Sequence, residues 1–394
     1  MKILMLSWEY PPRIIGGISR VVHNLAQKLG ELGNEVHIVT CWENGTLEEE
    51  FDNSVHVHRV HTCQINANSF INWVLQFNFS LVEKSVKLIN GTGRFDVIHA
   101  HDWLTAFAAK TLKHIYSIPL ISTIHATESG RNYGLHNDVQ RYISSVEWWL
   151  TYESWIIIVN SRFMKNEVKN IFQLPEDKIR IIPNGVNIDK FRNYSRDNKF
   201  RRNYATDNEK IVFFVGRLVN EKGAHVLINA APKIIRYYND AKIIIAGKGP
   251  QLEYLRKIAY ELNIYSKVYF TGYISEEELA KLYKCADVAV FPSLYEPFGI
   301  VALEGMLANV PVVVSDTGGL GEIVEHGIDG MKSYTGNSNS LADSILEILL
   351  NPKEAEKMKS KAMEKVFSMY NWDVITYHTL NVYKEITGIK ITKQ

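Results

Sequence analysis

Short apolar runs rich in Ile and Val alternate along this chain with longer stretches whose apolar positions recur every three or four residues. Runs of the first kind suit strands buried on both faces of a parallel sheet, and stretches of the second kind suit the helices that cover it. In the first half the pattern predicts strands at KILML (2–6), EVHIVT (35–40), VHVHRV (55–60), DVIHA (96–100), LISTIH (120–125) and IIIVN (156–160). After the first of these, Val21, Val22, Leu25, Leu29 and Leu32 make one helical stripe. The second half repeats the theme with KIVFFVG (210–216), KIIIAG (242–247), KVYFTG (267–272), VAVFP (288–292) and VPVVVS (310–315). The pattern therefore predicts an α/β fold of two doubly wound, Rossmann-like domains, residues 1–190 and 191–372. The join is expected in the polar stretch 192–210, after the turn-rich IPNGVN. A terminal helix within 373–394 is expected to return to the first domain, with Val374, Tyr377 and Val382 toward its apolar side. Ligands of such sheets gather at the carboxyl ends of the strands, so the site is expected between the two halves.

The length of 394 residues suits two domains of ordinary size. Lys plus Arg (44) nearly cancel Asp plus Glu (43), which argues against sequence-independent nucleic-acid binding; an anionic small ligand would need local charges. Cys41, Cys63 and Cys285 are far apart and outside any metal-type pair, as expected of reduced thiols in the cytoplasm. The opening MKILMLSWEYPP is too short an apolar run for a signal-peptide core, and no later run has the length of a membrane span.

Candidate chemistry is concentrated in SLYEPFGIVALEGMLANVPVVVS, where a strand runs into a loop holding Glu296 and a helix is expected to open near Pro297 and Phe298. Glu304 follows eight positions later. On a continuous helix that is about 12 Å along the axis and within about 80° in azimuth, so one elongated ligand could touch both carboxylates. The helix-start amides between them, at Phe298, Gly299 and Ile300, suit a diphosphate, and Gly299 admits a close approach. Taken alone, two spaced glutamates read better as a first-turn charge and a solvated helix residue.

EPFGIVALE resembles the E-x7-E motif of retaining GT-B glycosyltransferases, the superfamily of glycosyl transferases group 1 (GT4/GT5-like) that includes glycogen and starch synthases. The resemblance implies that Glu296 meets the donor sugar and Glu304 the nucleotide ribose. GRLVNEKG (216–223) resembles the family's G-R-x4-K-G segment, which implies that Arg217 and Lys222 grip the leaving diphosphate. Positive charge at a helix start is otherwise mildly unfavourable. In the first half, Gly16 and Gly17 sit between strand and helix, where a phosphate or sugar can approach the backbone. The family usually reads Lys-Thr-Gly-Gly there; this chain has Ile14-Ile15-Gly16-Gly17 with Arg13 nearby, so the donor-contacting lysine has no counterpart.

VIHAHDW (97–103) resembles the synthases' His-Asp-Trp segment and implies a sugar-site role for Asp102, a residue that is also a favoured helix N-cap. His125, in STIHATESGRNYG, matches the histidine that contacts the transferred glucose. EYPPRIIGG, IHATESGR and SVEWWLTYES look closest to actinobacterial glycogen synthases that can make maltose 1-phosphate from ADP-glucose and glucose 1-phosphate. The function implied is retaining transfer of glucose from ADP-glucose or UDP-glucose to an α-glucan or glucose 1-phosphate. A front-face route is implied, with no resident cofactor and no metal; Arg20 and Arg131 are candidates for an acceptor phosphate. The alternatives are a transferase for another sugar, such as mannose, and a non-catalytic nucleotide-sugar-binding protein. A dinucleotide dehydrogenase lacks support, since no GxGxxG follows the first strand.

Overall fold

The computed structural model describes residues 1–62 and 66–388, so Cys63 lies outside the described residues. The chain folds into two compact units, Met1–Gly185 joined by the segment from Trp372, and Val186–Asn371.

Unit 1 carries an eight-stranded sheet. Its strands are β1 (Lys2–Leu6), β2 (Glu35–Cys41), β3 (Glu49–Asp52), β4 (Val55–Val60), β5 (Val97–His101), β6 (Leu120–Ile124), β7 (Ile156–Val159) and β8 (Ile179–Ile181). They run in the order β3-β4-β2-β1-β5-β6-β7-β8, all parallel except the β3–β4 pair. Six strands are the expected apolar runs, displaced by no more than one residue at either end. The other two escape an apolar pattern, because β3 (EEFD) is a polar, largely exposed edge and β8 has three residues. The strand order turns back at β1 and β5, which makes their carboxyl ends the place where loops diverge and a ligand can enter.

Helix Gly17–Glu31 buries Val21, Val22, Leu25 and Leu29 on the sheet, but Leu32 falls beyond its last turn and is 59% exposed. The C-terminal helix Trp372–Thr387 packs on that helix, with Lys28 paired to Asp373 at 3.2 Å. It buries Trp372, Ile375, Leu380, Val382 and Tyr383. Tyr377, expected inward, points to solvent at 60% exposure, and Val374 is half-buried, because the 3.6-residue period places the inner stripe at 372, 375–376, 379–380 and 383.

That helix reaches the buried histidines of the sheet. His99 bonds through Nδ1 to the Tyr383 hydroxyl and through Nε2 to Thr123 Oγ1, both at 2.7 Å. Burial, helped by the nearby His125, pushes the His99 pKa down to about 3. The unfolded chain takes up this proton below about pH 6.5 while the folded protein does not, so stability falls as pH drops through 6.5 and goes on falling toward 3. At pH 5 this one group is expected to remove about 2 kcal/mol relative to neutral pH. Urea unfolding of the wild type and of His99→Gln at pH 7 and pH 5 checks this; an equal pH dependence in both would rule it out.

Unit 2 carries a six-stranded, all-parallel sheet: β9 (Lys210–Val215), β10 (Ala241–Ala246), β11 (Val268–Gly272), β12 (Val288–Phe291), β13 (Val312–Ser315) and β14 (Met331–Ser333). The order is β11-β10-β9-β12-β13-β14, with the reversal between β9 and β12. The division between units falls at Gly185/Val186, ahead of both residue 190 and the polar stretch 192–210. The stretch looks like a linker by composition, yet Val186 and Phe191 are buried in the core of unit 2, where Tyr194, Phe200 and Tyr204 also pack. Arg201, 2% exposed, lies 3.6 Å from the Asp287 carboxylate.

Candidate functional site

In unit 2 the site residues follow the carboxyl ends of β9 and β12. After β9 the chain passes Gly216 and Arg217 into a single 3-10 turn, Asn220–Lys222, and then into helix Ala224–Tyr237. The corner between them is Gly223 at φ +68°, and a Cβ there would come within 1.9 Å of the Pro292 carbonyl oxygen. A residue without a side chain thus lets the β9 loop lie directly on the β12 loop. The contact is sealed by the Leu294 amide donating to the Glu221 carbonyl at 2.8 Å.

This approach brings Lys222 to Glu296: Nζ lies 2.6 Å from Oε2, and Ser293 Oγ lies 3.4 Å from the same oxygen. Glu296 is buried, while Lys222 keeps 23% of its side chain exposed. The backbone of Glu296 is held as well, its carbonyl accepting the Gly319 amide at 2.9 Å. Arg217 does not join the pair. Its side chain is 57% exposed and reaches Glu221 at 3.5 Å.

The helix after Glu296 opens later than the sequence suggests. It spans Ile300–Leu307 with Gly299 as its N-cap, so Pro297 and Phe298 belong to the loop and the axial spacing expected for Glu296 and Glu304 does not apply. Gly299 at φ +106° breaks the path, and Leu320 Cδ2 would lie 2.4 Å from any Cβ there, so this glycine serves packing. The Phe298 side chain is core, edge-on to Tyr370 at 6.0 Å between centroids, and Ile300 packs half-buried against the same core. Glu304, 3% exposed, meets Lys190 at 2.5 Å, and Lys190 also lies 3.1 Å from Glu276. Lys190 carried no sequence signal: it stands in a polar segment, 114 positions from its partner.

In unit 1 the site residues gather where β1, β5 and β6 end. Asp102 has a backbone φ of +58° and makes no side-chain cap to the turn Trp103–Thr105, which removes the capping reading. Its Oδ1 instead accepts the backbone amide of His125 at 2.8 Å, tying the end of β5 to the end of β6. The His125 ring lies 3.1 Å (Nε2) from Nδ1 of His101, and both rings are buried. Burial lowers the His125 pKa against the opposing pull of Asp102, and the charge on Arg131 lowers it further, so His125 is neutral at pH 7. Arg131 ends the short helix Glu128–Arg131, and Arg20 lies on helix Gly17–Glu31.

The amides leading into the Gly16–Gly17 turn already hold a carboxyl group. Glu9, 1% exposed, accepts the amides of Ile15 and Gly16 through Oε2 at 2.8 Å each. Its pKa is raised, chiefly by burial against those two bonds, with Asp102 adding to the rise and Arg13 opposing it. The sequence offered one hint: a lone acidic residue directly after a buried strand, ahead of a double glycine. Glu9→Ala frees two partly buried amides and is expected to lower kcat/KM for transfer about tenfold or more, with Glu9→Gln, which keeps an acceptor, losing less. Steady-state rates of the two variants at one pH check this order.

Among the described residues, no group of three His, Cys, Asp or Glu is placed to hold a metal ion, and no helix is long and apolar enough to cross a membrane. Cys41 and Cys285 are free and buried.

Residues 15–190 match the family model described as Glycosyltransferase Family 4, and residues 195–365 match Glycosyl transferases group 1. The chain is 43% identical to an uncharacterized glycosyltransferase of Methanocaldococcus jannaschii, across 98% of each chain. It is 34% identical to a glycogen synthase of Mycobacterium tuberculosis, over 97% of this chain and 94% of that one. Among solved structures, a sucrose-phosphate synthase from Thermosynechococcus elongatus superimposes with a TM-score of 0.84 at 24% identity, covering 98% of this chain and 99% of that one. With two parallel-sheet units each matched by its own family model, and strand-end loops that carry the family's motifs, the chain belongs to the GT-B glycosyltransferases of the GT4/GT5 type.

Proposed function

We propose that this glycosyltransferase moves glucose, with retention of configuration, from ADP-glucose or UDP-glucose to an α-glucan or to glucose 1-phosphate. The observation that carries the reading is the buried Glu296 carboxylate held against Lys222 at the carboxyl ends of adjacent strands β9 and β12. A diphosphate arriving at that place offers Lys222 a stronger anionic partner and leaves Glu296 to accept hydroxyls of the sugar. Arg217, exposed on the same loop, adds a second cation. Glu304 takes the ribose hydroxyls, with Lys190 holding its carboxylate in place. The 34% identity to a glycogen synthase over nearly the whole chain supports glucose and an α-glucan.

In this mechanism the bond from the anomeric carbon to the diphosphate oxygen breaks while the acceptor oxygen bonds to the same face of that carbon. The acceptor's proton passes to the departing diphosphate oxygen. The protein contributes position and charge: Lys222, Arg217 and the amides from Phe298 to Ile300 act on the diphosphate, and the resemblance to the synthases assigns sugar contacts to Asp102, His125 and the Gly16–Gly17 turn of unit 1. Neutral His125 can donate or accept one hydrogen bond without bringing charge. When glucose 1-phosphate is the acceptor, Arg20 and Arg131 bind its phosphate. No divalent metal and no resident cofactor takes part.

A panel of nucleotide sugars and acceptors, run with a chelator present and read by product NMR, tests the reading. Retained α-linked glucose on an α-glucan or on glucose 1-phosphate is the expected product. An inverted anomer overturns the front-face route, and transfer of mannose in preference to glucose overturns the donor assignment.

A further inference from the structure

The edge of the unit 1 sheet where strands β7 and β8 begin lies opposite the strand ends that carry Asp102 and His125. Three aromatic side chains stand in solvent there, within eight residues of sequence: Trp148 at 45% exposure, Tyr152 at 65% and Trp155 at 55%. Trp148 and Tyr152, one helical turn apart, are stacked with centroids 5.5 Å apart and planes 23° from parallel. Trp155 immediately precedes β7 and lines an open pocket of about 520 Å³ together with Lys178, Asp177, Arg180 and Glu385. Lys178 joins the two parts, its Nζ donating to the Tyr152 carbonyl at 2.8 Å and lying 6.0 Å from the Tyr152 ring centroid.

The surrounding charges indicate what such a surface accepts. Arg180 is paired with Glu385 (Nε to Oε2, 3.2 Å), Lys113 with Glu153 at 2.9 Å and Lys165 with Glu176 at 2.7 Å. These cations all have carboxylate partners, with Lys169 sharing Glu176 at 3.0 Å, which disfavours an anionic membrane, a nucleic acid or a phosphate as the partner. Exposed aromatic side chains beside a pocket rimmed by both donors and acceptors match a neutral ligand with flat C–H faces and a hydroxyl periphery, which describes a chain of pyranose rings.

We propose that Trp148, Tyr152 and Trp155, with the pocket beside Trp155, form a docking platform for an α-glucan chain, separate from the transfer site. The inference rests on the α-glucan reading of the acceptor. Its effect is to hold a polymer on the protein between transfers and so raise the local concentration of chain ends.

The full-length double variant Trp148→Ala/Trp155→Ala tests it, by retardation in native gels containing glycogen and by steady-state transfer to glycogen and to maltotriose. The expected result is loss of retardation and a glycogen KM raised about five- to tenfold, the scale of two lost stacking contacts. Kinetics on maltotriose and the unfolding temperature should be unchanged, since both side chains are exposed. Trp155→Phe should keep most of the retardation. A wild type that glycogen does not retard overturns the proposal even if transfer to maltotriose is normal. If glycogen retards the wild type but not the double variant while no α-glucan accepts glucose, the platform stands and the acceptor reading falls. A double variant that changes sedimentation or vesicle binding while glycogen retardation persists assigns the surface to a second copy or to lipid, and overturns the platform.

Discussion

Lys222→Ala is expected to lower kcat with the nucleotide-sugar donor about 10²- to 10³-fold, the effect of removing one preorganised group from the place where charge develops. Negative charge builds on the diphosphate as its bond to the sugar breaks. The Lys222 ammonium is already held by Glu296 at 2.6 Å, so little reorganisation remains to be done during the reaction. The substitution also leaves the buried Glu296 carboxylate without its cation, with Ser293 Oγ at 3.4 Å, and its charge then repels an incoming diphosphate. Lys222→Arg should fall between wild type and alanine, because a planar guanidinium keeps the charge but does not reproduce the position of a compact ammonium. The check is kcat at saturating acceptor, with the unfolding temperature measured alongside. A loss under threefold with the fold intact would remove Lys222 from the transfer step.

Gly223→Ala is expected to be among the most damaging small changes in unit 2. Two penalties coincide at this corner. A non-glycine residue at φ +68° costs about 1 kcal/mol or more, and a Cβ 1.9 Å from the Pro292 oxygen and 2.8 Å from its carbon adds about 1–3 kcal/mol of overpacking. Both crowding atoms are backbone, so no rotamer change relieves them. The sum of about 2–4 kcal/mol lowers the unfolding temperature by roughly 5–15 °C for a unit of this size. The only relief is to lift the β9 loop off the β12 loop, which draws Lys222 away from Glu296, so donor affinity should fall together with stability. Gly327→Ala is the control: Gly327 also has positive φ, +77°, but nothing lies within 4 Å of its Cβ position, so only the conformational penalty of about 1 kcal/mol applies. Calorimetric scans of the two variants decide the matter. Equal shifts would mean that the Pro292 contact yields without cost.

Among the described residues, eleven of the fourteen strands are legible in the sequence because most are short, buried apolar runs that local composition suffices to place, with β11 an exception in burial. The three missed strands lack that pattern: β3 is polar and exposed, and β8 and β14 have three residues each. Helix Gly17–Glu31 is legible from its apolar stripe, and Leu32 departs from that stripe only because the helix ends at Glu31. The helix at Ile300 was misplaced by its proline. Pro297 is a good first-turn residue, but the left-handed backbone of Gly299 breaks the path after it. The domain join falls earlier than composition suggests, since Phe191 already packs in the core of unit 2 and Arg201 is buried within the polar stretch 192–210.

The candidate site divides along the same line. By itself the sequence determined that Arg217, Lys222, Glu296, Asp102 and His125 lie in or beside loops at strand ends, because periodicity and turn chemistry are local properties. Only the tertiary structure decided which charge meets which. Lys222 and Glu296 are 74 residues apart and are joined by the contact of the β9 and β12 loops, while Glu304 is met by Lys190, 114 residues away. It also decided that Asp102 holds the His125 amide rather than capping its own turn, and that Glu9 occupies the amides ahead of Gly17. Such pairings depend on sheet order and on where a missing Cβ lets two loops touch, and neither is written in any local stretch of the chain.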